Sequence, residues 1–249
     1  AVAQMDQVLG SPISLPPEAP AIKPPMQGDL SKPHAILVDQ RGERFIRESS
    51  SYMALTNGIL ERNKISPAVP SWMILDSQYL AKYMLAGTMP NKKKIQNWIK
   101  KGFLRQGDTP EALAKTCNID PSTLSATIAR FNRFVDQGKD DDFKRGSHAY
   151  DRWLGDSLHS PNETLGRIEQ GPLYALQIYP GDLGTFGGLL TDTHARVLRD
   201  DGSAIEGLYA TGTSTASVMA DIAPGAGGSI GPAITWAYVA AEHALQNKP

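Results

Sequence analysis

Eleven of the chain's 23 glycines fall between Gly181 and Gly231, interleaved with short apolar stretches such as GGLLTD, ARVL and GLYATG. Glycine at that density marks backbone in tight turns, or backbone that something approaches closely. A bound ligand is the economical explanation. The run GLLTDTHARVLRDDGSAIEGLYATG reads as short strands joined by a turn at Asp201 and Gly202. It predicts Gly212 at the end of a buried strand, where α/β folds bind ligands. PGAGGSIGPAITWAYVAAEHA follows as a glycine loop opening into a helix, with Pro232 in its first turn and Ile234, Ala237, Tyr238, Ala241 and Leu245 on one face. Free N–H groups and the positive end of the dipole at such a helix start favour an anion or a ligand oxygen. The loop matches neither GxGxxG nor the P-loop pattern, so these residues alone leave cofactor contact and plain turn formation both open.

Composition narrows the partners. With 41% hydrophobic and 20% charged residues over 249 positions, the chain has material for one large or two modest cores. Its 25 basic and 26 acidic residues nearly cancel, which argues against nucleic acid or an anionic membrane and for small-molecule partners. Cys117 stands alone and makes no internal disulfide, and no Cys/His cluster has zinc spacing, so no metal is expected and a reducing cytoplasm is the expected location. His34, His148, His159, His194 and His243 are scattered and carry no assigned role. No apolar run reaches membrane length, and AVAQMDQVLG lacks the basic start and apolar core of a signal peptide. It also lacks an initiator Met, from which the chain is expected to begin inside something larger.

Upstream of the glycine zone, seven of the 18 prolines lie between residues 11 and 33, a density that predicts an extended crossing segment. HAILVDQRGERFIRES predicts two strands around Gly42 as a hairpin, with Tyr52 just beyond the second strand, and WMILD at 72–76 predicts a further short strand. From 108 to 138 the pattern is helical. Asp108, Thr109, Pro110 and Glu111 start one helix, Asp120 and Pro121 start another, and Leu124, Ile128, Phe131 and Val135 share a face until Gly138. The two make a helical hairpin whose apolar stripe is read as core. Lys92, Lys93, Lys94, Lys100 and Lys101 read as a solvated face.

PGDLGTFGGLLTD, GLYATGTSTASVM and PGAGGSIGPAITWAYVAA resemble the carboxy-terminal signature of 3-ketosteroid Δ1-dehydrogenases and related flavoproteins of the fumarate reductase/succinate dehydrogenase superfamily. GDTPEALAKTCNIDPSTLSATIARFNRFVDQGKDDDFKRGSHAYDRW is similar to that family's cap helices, and RGERFIRESSSY to its hairpin leading to a tyrosine. The resemblance implies an α/β plus α+β fold. Residues 1–12 end one segment of a Rossmann-like FAD-binding domain, 13–185 form an α+β substrate cap, and 186–249 return to the FAD-binding domain. The amino-terminal dinucleotide fingerprint is not among these residues, so the other half of the FAD-binding domain is an expected partner, in the same protein or another chain.

The implied cofactor is FAD, and the implied reaction is dehydrogenation of a carbon–carbon bond next to a ketone, the substrate being a cyclic ketone such as a steroid. A proton leaves the α carbon as a hydride passes from the β carbon to flavin N5, which requires a base and an oxyanion stabiliser. By the resemblance Tyr52 is the base and Gly227 gives the backbone N–H that binds the ketone oxygen. Gly212, Thr213, Gly228, Ser229, Ile230 and Gly231 contact the cofactor. Where the family usually has a tyrosine before PGAG, whose hydroxyl joins that N–H, this chain has Ala223. Losing one such donor costs on the order of a hundredfold in rate. Bland readings stand beside these: Tyr52 packing its surroundings, and Gly212, Gly228 and Gly231 serving as turn glycines only. Two other functions compete. One is a fumarate-reductase-like flavoprotein, against which SVMADIAPGAGGS offers no basic group for a dicarboxylate. The other is an inactive fragment or subunit that does not bind FAD alone.

Overall fold

The computed structural model describes residues 1–18, 21–220 and 225–247, and the chain forms two compact units, Ala1–Gly10 with Asp182–Pro249, and Ser11–Gly181. In chain order the strands are β1 (Val2–Ala3), β2 (Val8–Ile13), β3 (Ala35–Val38), β4 (Ser71–Leu75), β5 (Leu104–Gly107), β6 (Leu173–Thr185), β7 (Gly188–Leu189), β8 (Arg196–Leu198) and β9 (Ala204–Tyr209). The helices are α1 (Gln27–Leu30), α2 (Tyr52–Ile65), α3 (Ser77–Lys82), α4 (Lys92–Lys100), α5 (Pro110–Cys117), α6 (Pro121–Asp136), α7 (Ala149–Leu154) and α8 (Ile230–Gln246), with a 3-10 turn at Gly212–Ser214.

The Ser11–Gly181 unit is built on a mostly antiparallel sheet in which β4 lies between β3 and β6, and β6 also pairs β5 and β2. Alternate residues of a strand point to opposite faces, and both faces here are covered. Leu37, Met73, Leu75 and Leu176 pack with Leu55 and Ile59 of α2, Tyr79 of α3 and Trp98 of α4. Ile36, Val38, Trp72, Ile74 and Ala175 pack with Leu113 and Cys117 of α5 and Leu124, Ile128 and Phe131 of α6. That explains why AILV and WMIL read as unbroken apolar runs rather than as alternation. Helices α5 and α6 start where their signals predict: Thr109 accepts from the Ala112 N–H, Asp120 accepts from the Thr123 N–H, and each helix has proline in its first turn.

Two expectations are corrected. The Gly42 turn forms, with Gly42 at φ +88° and hydrogen bonds from the Asp39 N–H to Glu43 O and from the Gly42 N–H to Asp39 O. The second hairpin strand does not: Val38 and Arg44 make one isolated bridge, after which the chain bends and enters α2. Tyr52 is therefore the first residue of a helix rather than the residue after a strand. The reason is electrostatic, because the Arg44 and Glu48 side chains turn into the unit instead of alternating along a strand. The extended proline segment is likewise interrupted, by the short helix α1 behind the fully buried Met26.

In the other unit β1 pairs β7 (Val2 with Leu189, Ala3 with Gly188), and β8 pairs β9 around the Asp201–Gly202 turn. Gly202 is at φ +82°, and the Asp201 carboxylate accepts from the Ser203 N–H. The expected buried strand before Gly212 is not buried among the described residues: there β9 pairs β8 alone, and Glu206, Gly207 and Leu208 are exposed. The predicted helix forms as α8, yet none of its described side chains is buried, and Ile234, Tyr238 and Leu245 are exposed. No helix among the described residues is long and apolar enough to cross a membrane.

What bends the chain after Gly42 is a buried quartet of charges. Arg44 donates to both Glu48 carboxylate oxygens (2.7 Å each) and to both Asp140 oxygens (3.0 and 2.7 Å). Arg145 lies 3.2 Å from Glu48 and donates to the carbonyls of Ala35 (2.8 Å) and Lys32 (2.8 Å). These four side chains are at most 5% exposed. Burial works against the Glu48 carboxylate, but the charges of Arg44 and Arg145 outweigh it and hold its pKa below the ordinary 4.5. Asp140 is held below 3.8 in the same way, burial being overcome by the Arg44 hydrogen bond and charge. Two depressed carboxylates contribute stability that is fully present above their ordinary range and is lost as pH falls through the folded values. Glu48→Ala, which leaves two buried guanidiniums short of a partner, is expected to cost about 3–5 kcal/mol in urea unfolding. Glu48→Gln should also flatten the acid limb of stability, whereas a variant that loses stability below about pH 4 as steeply as the parent would rule the quartet out as its source.

Candidate active site

Tyr52 stands in the first turn of α2, where Ser51 is the N-cap and its hydroxyl accepts from the Ala54 N–H at 3.3 Å. The chain just before it is tied down through Ser50. The Ser50 carbonyl accepts from Gln27 Nε2 at 3.0 Å and its hydroxyl from Arg47 Nε at 2.9 Å. Arg47 also lies 3.7 Å from the buried Asp151 carboxylate, and Gln27 Nε2 also donates to the Tyr150 hydroxyl at 2.9 Å. Segments from α1, the loop after β3 and α7 thus converge two residues before Tyr52. The tyrosine ring is half-buried, and its hydroxyl makes no hydrogen bond among the described residues. Two buried hydroxyls close by in sequence, Ser49 Oγ and Thr56 Oγ1, also lack a partner there. The other end of α2 is held as firmly: Arg62 donates to the buried Asp39 carboxylate at 2.9 and 2.7 Å, and Ser66 Oγ donates to it at 2.8 Å.

Gln27, Arg47, Asp151 and Tyr150 carry no local signal in the sequence. Only the Arg44/Glu48 spacing inside RGERFIRES carried a signal, as a four-residue ion pair. Gln27 and Tyr150 are 123 positions apart, and nothing local connects them.

The glycine zone in the other unit divides into two kinds. At Gly187 an added Cβ would stand 2.5 Å from Gln4 O, and at Gly188 2.6–2.8 Å from the backbone of Ser214 and Thr215. These glycines let the chain pack against itself. At Gly227 (φ +87°) and Gly231 an added Cβ would meet nothing within 4 Å among the described residues. Gly212 (φ +63°) belongs to the 3-10 turn, whose neighbour Thr211 donates to the Ala233 carbonyl at 2.8 Å, and a Cβ at Gly212 would lie 3.5 Å from that of Ala233. Thr213 sits in the same turn, so Gly212 and Thr213 come together with the first turns of α8, which carries Ile230 and Gly231 behind Gly228 and Ser229. Ser229, the residue before α8, makes no side-chain capping bond. The Gly228 N–H donates to Gly225 O at 3.1 Å and the Gly231 N–H to Gly227 O at 2.8 Å, so among the described residues it is the N–H groups of Ser229 and Ile230 that this helix start can present to a ligand oxygen. Tyr52 lies in the other unit, and Ala223 lies outside the described residues. Cys117 is buried at the end of α5, where burial pushes its thiol up to about 11, as suits an inert core residue.

The FAD binding domain family matches residues 1–230. A 3-oxosteroid 1-dehydrogenase of Mycolicibacterium smegmatis is 41% identical over 218 residues, covering 86% of this chain and 38% of the relative. A 4-oxocyclohexanecarboxylate 2-dehydrogenase of Sinomonas cyclohexanicum is 39% identical over 214 residues, covering 84% of this chain and 36% of that enzyme. The crystal structure of a 3-ketosteroid Δ1-dehydrogenase from Sterolibacterium denitrificans, in complex with 1,4-androstadiene-3,17-dione, superposes with a TM-score of 0.93 at 36% identity over 99% of this chain and 45% of that one. The chain spans less than half the length of each of these relatives.

The two kinds of glycine should separate by mutation. Gly188→Ala drives a methyl into backbone and is expected to cost about 1–3 kcal/mol, whereas Gly231→Ala, in open space on a helix, should stay within about 0.5 kcal/mol of the parent. Thermal unfolding of both variants tests this, and equal midpoints would overturn the distinction.

Proposed function

The chain belongs to the FAD binding domain family, and on that premise we propose that it forms the substrate-side part of a flavin-dependent dehydrogenase of the 3-ketosteroid Δ1-dehydrogenase type. In this reading the Ser11–Gly181 unit is the substrate cap, and the Ala1–Gly10 and Asp182–Pro249 segments belong to the FAD-binding domain. The observation that carries the reading is the near-complete superposition on the steroid-bound enzyme. The match to an enzyme of a monocyclic oxo acid supports the wider class, a ring ketone oxidised at the adjacent carbon–carbon bond.

The residues present fit a flavin. Gly212 and Thr213 in the turn, and Ser229 and Ile230 at the start of α8, would hold it through backbone N–H groups and the positive end of the helix, while Gly228 and Gly231, whose own N–H groups are taken by the carbonyls of Gly225 and Gly227, would line it as glycines without side chains. When bound, FAD supplies the hydride-accepting N5. The remaining work falls to the protein. Tyr52, reacting as its phenolate, would take the proton from the carbon next to the ketone at its Oη and become the phenol, an oxygen that makes no hydrogen bond among the described residues. Its two tethered helix ends keep that oxygen from wandering, and a base that does not wander has its positional entropy already spent. Gly227 donates its N–H to the ketone oxygen and stabilises the enolate charge that develops there. The absence of a side chain at Gly227 leaves room for the ring to approach.

The direct test is Tyr52→Phe in the FAD-loaded enzyme. Removal of the base should lower ketone oxidation, followed with an artificial electron-accepting dye, by on the order of 10²–10⁴-fold while the flavin absorbance stays. Parent-like turnover in that variant removes Tyr52 from the mechanism.

A further inference from the structure

The helix α7 is built the wrong way round for a surface helix. Its polar residue Asp151 is 1% exposed, and its Oδ2 accepts from the Gly146 N–H at 3.1 Å. Its last carbonyls are held by Lys32, whose Nζ donates to Leu154 O at 2.8 Å and Gly155 O at 2.6 Å. Its aromatic residues face out. Tyr150 is 40% and Trp153 76% exposed, and their rings, three positions apart on the helix, lie 5.9 Å apart. A soluble helix ordinarily hides such residues and shows the carboxylate. A pinned helix that shows a tryptophan beside a tyrosine, their planes 33° apart, offers a shallow apolar surface with one polar handle, which is how aromatic side chains serve in binding sites.

The position of this surface gives it a role. Two independent ties join α7 to Ser50, two residues before Tyr52: Gln27 Nε2 bridges the Ser50 carbonyl and the Tyr150 hydroxyl, and Arg47 bridges the Ser50 hydroxyl and Asp151. We propose that Tyr150 and Trp153 form an aromatic wall that holds the apolar ring body of the substrate while Tyr52 acts at its ketone end, and that this wall favours fused-ring over single-ring ketones. The inference rests on the assignment of Tyr52 as the base. The occupant follows from the chemistry of the wall. The Tyr150 hydroxyl is already engaged by Gln27, and neither ring offers a charge, so a carboxylate-bearing monocycle gains little there. A flat polycyclic hydrocarbon gains contact over both rings.

The test compares Trp153→Ala and Tyr150→Ala with the parent holoenzyme on a tetracyclic 3-ketosteroid and on 4-oxocyclohexanecarboxylate. The kcat/KM preference for the steroid should fall about tenfold in Trp153→Ala, through KM for the steroid rather than through kcat, the size expected of one large aromatic contact. Ile65→Ala, an equally exposed apolar position at the far end of α2, should leave the preference alone. An unchanged preference in both aromatic variants, or a shift in self-association by size-exclusion chromatography without a shift in preference, overturns the wall. A binding readout separates it from the reaction itself. Tryptophan emission should be quenched by 1,4-androstadiene-3,17-dione in the parent and much less in Trp153→Ala. Quenching in a protein that oxidises neither ketone supports the wall and faults only the assigned reaction, while no difference in quenching between parent and Trp153→Ala overturns the wall.

Discussion

The buried quartet of Arg44, Glu48, Asp140 and Arg145 is the interaction on which the substrate-side unit depends. Its members come from the loop after β3 and from the segment after α6, and Arg145 reaches past them to the carbonyls of Ala35 and Lys32 at the start of β3. Four opposite charges in an apolar interior add little net stability, since desolvation consumes most of their attraction. What they add is specificity. A path that turned Arg44 and Glu48 to solvent would leave the buried Asp140 and Arg145 without their charged partners, and that penalty opposes the hairpin which the strand propensity of FIRES would otherwise favour.

Rigidity then passes from the quartet to the proposed base. The quartet fixes where the chain leaves β3, Ser50 is clamped by Gln27 and Arg47, and α2 begins two residues later, at Tyr52, behind the Ser51 cap. At its far end Arg62 and Ser66 fasten the same helix to Asp39, on the strand side of the Gly42 turn. Between these anchors Leu55 and Ile59 lie flat on the sheet, whose opposite face is loaded by α5 and α6. A helix held at both ends and along one side has few soft directions. A residue in its first turn is therefore placed by packing rather than by a loop, as a proton-transferring group requires.

How far the sequence revealed this depends on how local each cause is. Helices α5 and α6 were legible because Thr109, Pro110, Asp120 and Pro121 act within one turn of themselves. The strand WMIL was legible because it is buried on both faces and bounded by turn residues. Helix α2 was not. Its buried set of Met53, Leu55, Thr56 and Ile59 makes a faint stripe, and Gly58 in its middle reads as a break. Gly58 is there for a distant reason: a Cβ would stand 2.2 Å from the Ile46 side chain, so glycine lets the loop lie against the helix. The ties around Ser50 were invisible for the same reason, since Gln27 and Asp151 reach it from segments far apart in the chain. At the proposed cofactor site the sequence showed the glycines and the helix start but not which glycines serve which purpose.

That last distinction is physical and bears on function. Gly187 and Gly188 are glycines because protein backbone occupies the space where a side chain would be. Gly227 and Gly231 face no such neighbour among the described residues, so internal packing does not explain the missing side chain at either. Gly227 has a second demand on it, a φ of +87° that any Cβ would strain, whereas Gly231 has a helical backbone that would accept alanine readily. Gly231, in the first turn of α8, is a glycine that neither positive φ nor a close neighbour among the described residues demands, which agrees with the proposed contact to a ligand.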